Sequence, residues 1–435
     1  MKPQKNTDLP RMVFADPEGH IFDHPTLCMA ARSGTEKLRG DAEPLTPLAE
    51  GGELFSLPGR YPVGWDPTSR EFVTVRETVI NDRKIECTAV AAFLPPGYVR
   101  CLLPASDLKD EYPILPLWAY GAVGWREDRF WASGVYLDPN LHWHPRFFQN
   151  DEELARRVRA LLDQHPDNRF LRHLSHCALT YHCFAAKNVF YRRWEAPIPT
   201  SPGCNADCLG CLSLQPPDGC QASHNRITFV PTVDEIVEVA LPHMEQAEAP
   251  IVSFGQGCEG EPLLEGDLLE RTTAALREKT SKGTINLNTN GSLPRVVERL
   301  GDAGLDSIRI TLGSATPEGY RRYHRPRGYH FDDVMASIDR AKTGGIYVAV
   351  NLLVFPGLTD REDEVAALIH LVRDTGVDMI QMRNLNIDPD WYVRNMENQA
   401  ARGMGLSEML TLLRETFPRL TIGYFNQTKE SFPQP

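Results

Sequence analysis

Two textures of apolar and polar residues divide this chain. Up to about residue 147, runs rich in Val, Ile, Tyr, Phe and Trp, such as 71–79 and 130–137, lie between Pro and Gly marks (Leu57-Pro58-Gly59, Leu94-Pro95-Pro96-Gly97). That pattern predicts small antiparallel sheets and loops. Residues 151–165 predict one charged amphipathic helix, and 169–190 a further, mostly helical stretch. From residue 191 apolar strands alternate with helical patterns at intervals of roughly 35 residues. The candidate strands are 196–200, 251–254, 284–288, 307–312, 347–355, 379–383 and 420–425. Between them Thr232 and Glu235 form a capping box, and so do Thr359 and Glu362. The second of these helices turns Val365, Leu368, Ile369 and Val372 inward and stops at Gly376. Phe331, Val334, Met335, Ile338 and Ala341 mark another helix, closed by Gly344 and Gly345.

Repeated strand–helix alternation implies a parallel sheet with right-handed crossovers, which an open sheet and a barrel both satisfy. The polar faces of the strands favour the barrel. Period-two geometry sets Ile285, Leu287 and Thr289 against Asn286, Asn288 and Asn290, and Ile308, Ile310 and Leu312 against Arg309 and Thr311. Such polar rows are costly in a dry core but suit a wet cavity at the C-terminal strand ends. The expected fold is therefore α/β: a partial (βα)6 TIM-like barrel at 191–435, preceded by a β-rich domain of unassigned role at 1–147 and a helical connector at 148–190.

Composition narrows the function classes. Of 435 residues, 42% are hydrophobic and 24% charged, so a large core can form and wholesale disorder is excluded. No run of eighteen apolar residues occurs, as a membrane-spanning helix would require. The Met1–Asp8 segment is polar and unlike a signal peptide, and a cytoplasmic location is expected. Net charge is −12, with 22 basic against 25 acidic residues in 1–190 and 24 against 33 in 191–435. A polyanion needs Lys and Arg to neutralise its phosphates, so the balance argues against generic nucleic-acid binding. Ten cysteines are far too few for a disulfide scaffold, and clustered ones in a reducing compartment point to metal or redox chemistry.

One cluster stands out. Ser201-Pro-Gly-Cys-Asn-Ala-Asp-Cys-Leu-Gly-Cys211 places Cys204, Cys208 and Cys211 in a C-x3-C-x2-C loop directly after the first candidate strand. Three thiolates can cap one face of a cubane iron–sulfur cluster and leave one iron open to a chelating substrate or cofactor. A competing reading is a structural zinc with Cys220 as the fourth ligand, in a zinc-stabilised binding or regulatory protein without turnover. After the second strand, Phe254-Gly-Gln-Gly-Cys-Glu-Gly-Glu-Pro262 spells G-x-G-x-x-G, which would suit a nicotinamide-dependent oxidoreductase. The next strand ends in Asn288-Thr-Asn290 without the acidic residue that a ribose would want, and the motif follows a second strand, which argues against that reading.

At these residues the sequence resembles the radical S-adenosylmethionine superfamily, over roughly residues 195–430. The resemblance implies a [4Fe–4S] cluster on Cys204, Cys208 and Cys211, and reductive cleavage of S-adenosylmethionine to methionine and a 5′-deoxyadenosyl radical. Gly260-Glu261-Pro262 resembles the family's G-G-E-P element, with Glu259 in place of its first glycine. That element implies backbone carbonyls and Glu261 around the ammonium of S-adenosylmethionine. By the same resemblance Asn288 and Asn290 meet the ribose, Arg309 meets the methionine carboxylate, and the Phe355–Asp360 stretch lies near the adenine. The family usually has an aromatic residue before the third cysteine; here it is Gly210, which weakens the cover expected over the adenine.

Other residues carry less. Gln381, Arg383 and Asn384 sit near the barrel mouth and are candidates to face a substrate. Cys177, Cys183 and Cys258 number three where a second cluster generally asks for four ligands, so they read as buried thiols rather than an auxiliary cluster. His142 and His144 read as loop residues. An external one-electron donor, flavodoxin- or ferredoxin-like, is the expected partner. The substrate is unidentified; exposed sheet edges in the N-terminal region would suit an extended peptide or protein.

Overall fold

The computed structural model describes residues 9–80, 82–216, 219–396 and 403–433, so the polar Met1–Asp8 segment lies outside the described residues. The N-terminal region forms one branched thirteen-stranded sheet plus a separate hairpin, Glu77–Ile80 with Arg83–Glu86, rather than several small sheets. The thirteen-residue strand Ile21–Ser33 explains the difference, because it pairs with four neighbours along its length and joins what the Pro and Gly marks divide. Strand Arg11–Ala15 is apolar on both faces. Val13 and Ala15 enter one cluster with Val90, Leu94 and Val123, while Met12 and Phe14 enter another with Leu27 and Cys87.

Three helices follow, Asp151–Gln164, Arg169–Leu179 and Phe184–Tyr191. The first two start on Asn150 and Asn168, whose side chains accept backbone N–H bonds, as an N-cap should. Val158, Phe170, Leu174 and Val189 share one apolar cluster with Ala196, Ile198 and Val252, so these helices cover the outside of the barrel's first strands.

All seven sequence-read strands are present, as Arg193–Ile198, Glu248–Phe254, Thr284–Thr289, Ser307–Leu312, Tyr347–Val354, Met379–Asn384 and Thr421–Gly423. They form one sheet, parallel throughout and in sequence order. When every crossover has the same hand, sequential order puts all helices on one face, and the sheet curls away from them into a half-barrel. The expected alternation holds. Ile285, Leu287, Ile308, Ile310, Val348, Val350 and Leu352 are buried against the helices, while the inner face is polar. There Ser253 donates to Glu195 (2.7 Å), Asn286 to Ser253 (3.1 Å), and Ser307 to Asn286 (2.8 Å). Across the open side Gln381 donates to Asn426 (2.8 Å) and Asn426 to Glu195 (2.7 Å), so a residue beyond the last strand ties the sixth strand to the first, and the first and last strands do not pair.

Two local expectations are corrected. The Thr232–Glu235 capping box forms, but Thr359 caps no helix. Its hydroxyl instead accepts the Phe355 N–H (2.8 Å), folding the Pro356-Gly357 turn back on itself, and the helix begins at Glu362 after Arg361. The Phe355–Asp360 stretch packs against the N-terminal sheet, where Gly34 N–H donates to the Pro356 carbonyl (2.9 Å). Among the described residues no helix is long and apolar enough to cross a membrane.

Candidate functional site

Two loops at the C-terminal ends of the first two strands are fitted to each other. The Gly260 N–H donates to Ser201 C=O (2.7 Å) and the Glu261 N–H to Gly203 C=O (2.8 Å). A Cβ at Gly260 would lie 1.7 Å from the Gly203 oxygen, so only glycine permits this approach. Gly255 has φ +78° and a backbone position where a Cβ would meet Asn288 C=O at 1.6 Å. Glu259, which the sequence marked only as a departure from the family element, is the buried staple of the assembly. One carboxylate oxygen accepts Thr200 N–H (2.7 Å), Ser201 N–H (2.9 Å) and the Thr200 hydroxyl (3.0 Å). The other accepts Gly255 N–H (2.6 Å) and Gln256 N–H (2.9 Å). The loop's amides are thus engaged within the protein, not free to cradle a pyrophosphate as a dinucleotide turn requires.

The arrangement brings Cys204, Cys208, Cys211, Gly260, Glu261, Pro262, Asn288, Asn290 and Arg309 to the wall of one cavity of about 300 Å³. The three thiols sense one another. Burial, then the charge of Glu261, pushes Cys204 up to about 11; burial, then the charges of Cys211 and Cys204, push Cys208 well above its usual range. Donors flank two of the sulfurs: Arg226 Nη2 lies 3.6 Å from Cys211 Sγ, and His324 Nδ1 3.4 Å from Cys208 Sγ. Since Gly313 N–H donates to His324 Nε2 (3.1 Å), the network assigns the ring proton to Nδ1, facing the sulfur. Burial holds His324 down to about 3, hence neutral.

Spacing separates the two metal readings. Around a single zinc, thiolate sulfurs sit about 3.8 Å apart, as 2.3 Å bonds at tetrahedral angles require. Among the described residues, the sets of three or more ligand atoms within 4.8 Å of one another do not include Cys204, Cys208 and Cys211. Cys220 is buried elsewhere, in a cluster with Leu117, Tyr323 and Ile387. Three thiols spread wider than one ion allows, with no fourth from Cys220, fit a cubane with an open corner.

The rest of the cavity supplies polar groups in want of partners. Asn288 Nδ2, Arg309 Nε and Asn351 Oδ1 are buried and unpaired, and all three residues line it. Among the described residues Arg309 bonds only Gln381 Oε1 (3.3 Å); burial, then the charge of Arg383, holds its guanidinium down to about 9. A buried cation without a carboxylate is a ready receptor for one. The two asparagines divide: Asn288 keeps an open donor, whereas Asn290 Nδ2 is taken by Asn205 Oδ1 (2.8 Å) of the cysteine loop. Glu261 accepts from Thr289 Oγ1, Asn290 N–H (2.8 Å) and Leu263 N–H (3.0 Å), and it ties the glycine loop to the third strand. Its lone pairs beyond these three bonds are what it retains for a cation. Gly210 faces Tyr323 Oη at 3.0 Å and Leu385 at 3.2 Å from a would-be Cβ, so an aromatic side chain has no room and Tyr323 fills that wall instead.

A second cavity of about 320 Å³ shares Gly210, Leu212, Tyr323, Asn351 and Leu353 with the first. Its other walls come from Phe93, Leu94 and Pro96 of the N-terminal sheet region and from Arg383 and Tyr424. Of the three expected mouth residues, Arg383 and Asn384 line this space, and Arg383 stacks over Tyr424 (4.4 Å). Asn384 is spent on Tyr98 C=O (2.9 Å) and Arg100 N–H (3.0 Å), and Gln381 on the inner belt. The Phe355–Asp360 stretch does not line either space. His142 stacks on Trp194 in a loop. Sequence reasoning missed Glu259, Arg226, His324 and Tyr323, because their roles rest on contacts between distant segments.

Comparison with known proteins follows the same lines. A model of the Radical SAM superfamily matches residues 198–369. Among curated relatives, molybdenum cofactor biosynthesis protein 1 of Mus musculus is 28% identical over 226 residues, 51% of this chain and 32% of that protein. GTP 3′,8-cyclase of Acidothermus cellulolyticus is 29% identical (41% and 48% of the two chains), and the mitochondrial GTP 3′,8-cyclase of Arabidopsis thaliana 33% identical (46% and 48%). The chain thus spans between about a third and a half of the length of these relatives. Solved structures of the hydrogenase maturase HydG from Carboxydothermus hydrogenoformans (TM-score 0.37, 16% identity, 62% and 65% covered) and of methylornithine synthase PylB (0.38, 16%, 62% and 77%) are more distant. The cysteine loop, the strand order and the family match agree that residues 198–369 form a domain of the radical S-adenosylmethionine superfamily, enzymes that work with a [4Fe–4S] cluster and S-adenosylmethionine.

Proposed function

We propose that this protein is a radical S-adenosylmethionine enzyme whose cluster is held by Cys204, Cys208 and Cys211 and whose substrate occupies the adjoining cavity. The observation that carries the reading is the convergence of three thiols and three unpaired buried polar atoms on one space. When bound and reduced by an external donor, the cluster supplies the electron that splits S-adenosylmethionine into methionine and a 5′-deoxyadenosyl radical, which takes hydrogen from a C–H bond.

This chain's residues bind, orient and exclude. Arg309 receives the methionine carboxylate in a guanidinium fork. Backbone carbonyls of the glycine loop and Glu261 meet the ammonium, and Asn288 Nδ2 meets the ribose. Asn290 and Pro262 act on the cofactor indirectly, by fixing the cysteine loop and the turn after Glu261. Leu212, Leu353 and Tyr323 form the passage between the two cavities and keep water from it. Arg226 and His324 steady two thiolates through hydrogen bonds.

The substrate we infer is a small anion rather than an extended peptide. Arg383 faces the second cavity without an ion-pair partner among the described residues, and Phe93, Leu94 and Pro96 of the N-terminal sheet region wall that space. The relatives named GTP 3′,8-cyclase act on a nucleotide, which is the first candidate class to try. Anaerobic reconstitution with iron and sulfide, then S-adenosylmethionine and dithionite, should release 5′-deoxyadenosine. Its absence from a fully reconstituted protein would overturn the reading. Deuterium transferred into that product from a labelled candidate then identifies the substrate, GTP being tried first.

A further inference from the structure

Behind the glycine loop lies a second set of ligands, on the side away from the three motif cysteines. His173 and Cys177 stand one helical turn apart on Arg169–Leu179, with His173 Nε2 3.7 Å from Cys177 Sγ. Cys258 enters from the glycine loop and brings its thiol beside that of Cys177. All three ligand atoms lie within 4.8 Å of one another, and Cys177 and Cys258 are buried. This is the tight spacing that the motif cysteines lack, and it matches one tetrahedral ion rather than a cubane. Two soft thiolates and an imidazole select a zinc-class ion over calcium or magnesium.

We propose that His173, Cys177 and Cys258 bind a single zinc-class divalent ion, with the fourth position directed toward Cys183. Cys183 caps the next helix, and its N–H donates to Cys177 C=O (3.1 Å), which sets it next to the cluster. The ion bolts the helical layer to the loop whose next residue, Glu259, staples the cysteine loop, so it stiffens the cofactor cavity from behind without touching it. The group differs from an incidental one in one respect: Cys177 and Cys258 come from distant segments and meet beside His173.

The test uses the full chain with Cys204, Cys208 and Cys211 all replaced by Ala, so its outcome is independent of the proposed cluster. After incubation with zinc and desalting, metal analysis should find about one zinc per chain. Cobalt in its place should give thiolate charge-transfer bands and the visible bands of a tetrahedral ion. In that background His173→Gln and Cys258→Ser should each weaken zinc binding roughly tenfold or more. Zinc binding unchanged in both variants would overturn the proposal. So would the absence of stoichiometric metal with freely reactive thiols, a Cys177–Cys258 disulfide in the purified protein, or iron with acid-labile sulfide in the zinc's place. The cobalt spectrum needs no substitution at the ligands and keeps the test open if either variant fails to fold.

Discussion

At the scale of single residues the site separates groups that touch a cofactor from groups that hold others still. Replacing Cys204, Cys208 or Cys211 with Ala should abolish 5′-deoxyadenosine formation, since each leaves the cubane short of a thiolate. Asn288→Ala should weaken S-adenosylmethionine binding, read by calorimetry, because it removes the open Nδ2; it also removes the acceptor of an Asn286 bond (2.9 Å), but Asn286 Nδ2 keeps Ser253, so the thermal midpoint should fall only slightly. Glu259→Gln should do the reverse first. The amide would turn a donor toward N–H groups the carboxylate accepts, costing about 2 kcal/mol in a denaturant titration. Wild-type stability in that variant would contradict the staple. The polar rows were legible because they follow a period of two within one strand. Glu259 was not, because its donors include Ser201, which lies 58 residues earlier and could not be paired with it by local pattern.

At the scale of elements the decisive contact is loop against loop. Gly260→Ala puts a methyl group on the Gly203 carbonyl, so the cysteine and glycine loops must part. The expected result is reconstitution with substantially fewer than four irons per chain, measured by iron and sulfide analysis, in a protein whose far-ultraviolet spectrum is unchanged. Full iron content would show the fit to be dispensable. All seven parallel strands could be read, some, such as Tyr347–Val354, from nearly continuous apolar runs and others, such as Ser307–Leu312, from apolar residues at every second position. The turn after Val354 could not: Thr359 preceded Glu362 at the spacing of a capping box, but the Pro356-Gly357 turn claimed its hydroxyl first. The N-terminal sheet was legible as β-structure and not as one sheet, because Ile21–Ser33 pairs beyond its neighbours in sequence with Arg60–Asp66 and Leu103–Pro104.

At the scale of the whole molecule the N-terminal sheet is fastened over the barrel by buried charge. Arg60 pairs with Asp388 (2.7 Å) and Asp390 (2.9 Å), and Arg32 with Asp390 (2.7 Å); the Arg60 and Asp388 side chains are each 1% exposed. Arg60→Met strands one carboxylate and weakens the hold on the other, which should cost roughly 3 kcal/mol. Burial pushes Asp390 up, but Arg32 and Arg60 outweigh it and hold the carboxyl below 3.8. A depressed carboxyl contributes stability above its unfolded value and loses it as pH falls through the folded one. The gap between wild type and Arg60→Met should therefore be full at about pH 5 and shrink below about pH 4; a gap growing with acid would contradict the pairing. The most direct measurement on the site as a whole is Mössbauer spectroscopy of the anaerobically reconstituted protein, before and after S-adenosylmethionine. Three thiolates and one open corner predict a single iron whose signal shifts on addition while the other three stay; four irons indifferent to the ligand, or no cluster at all, would contradict it.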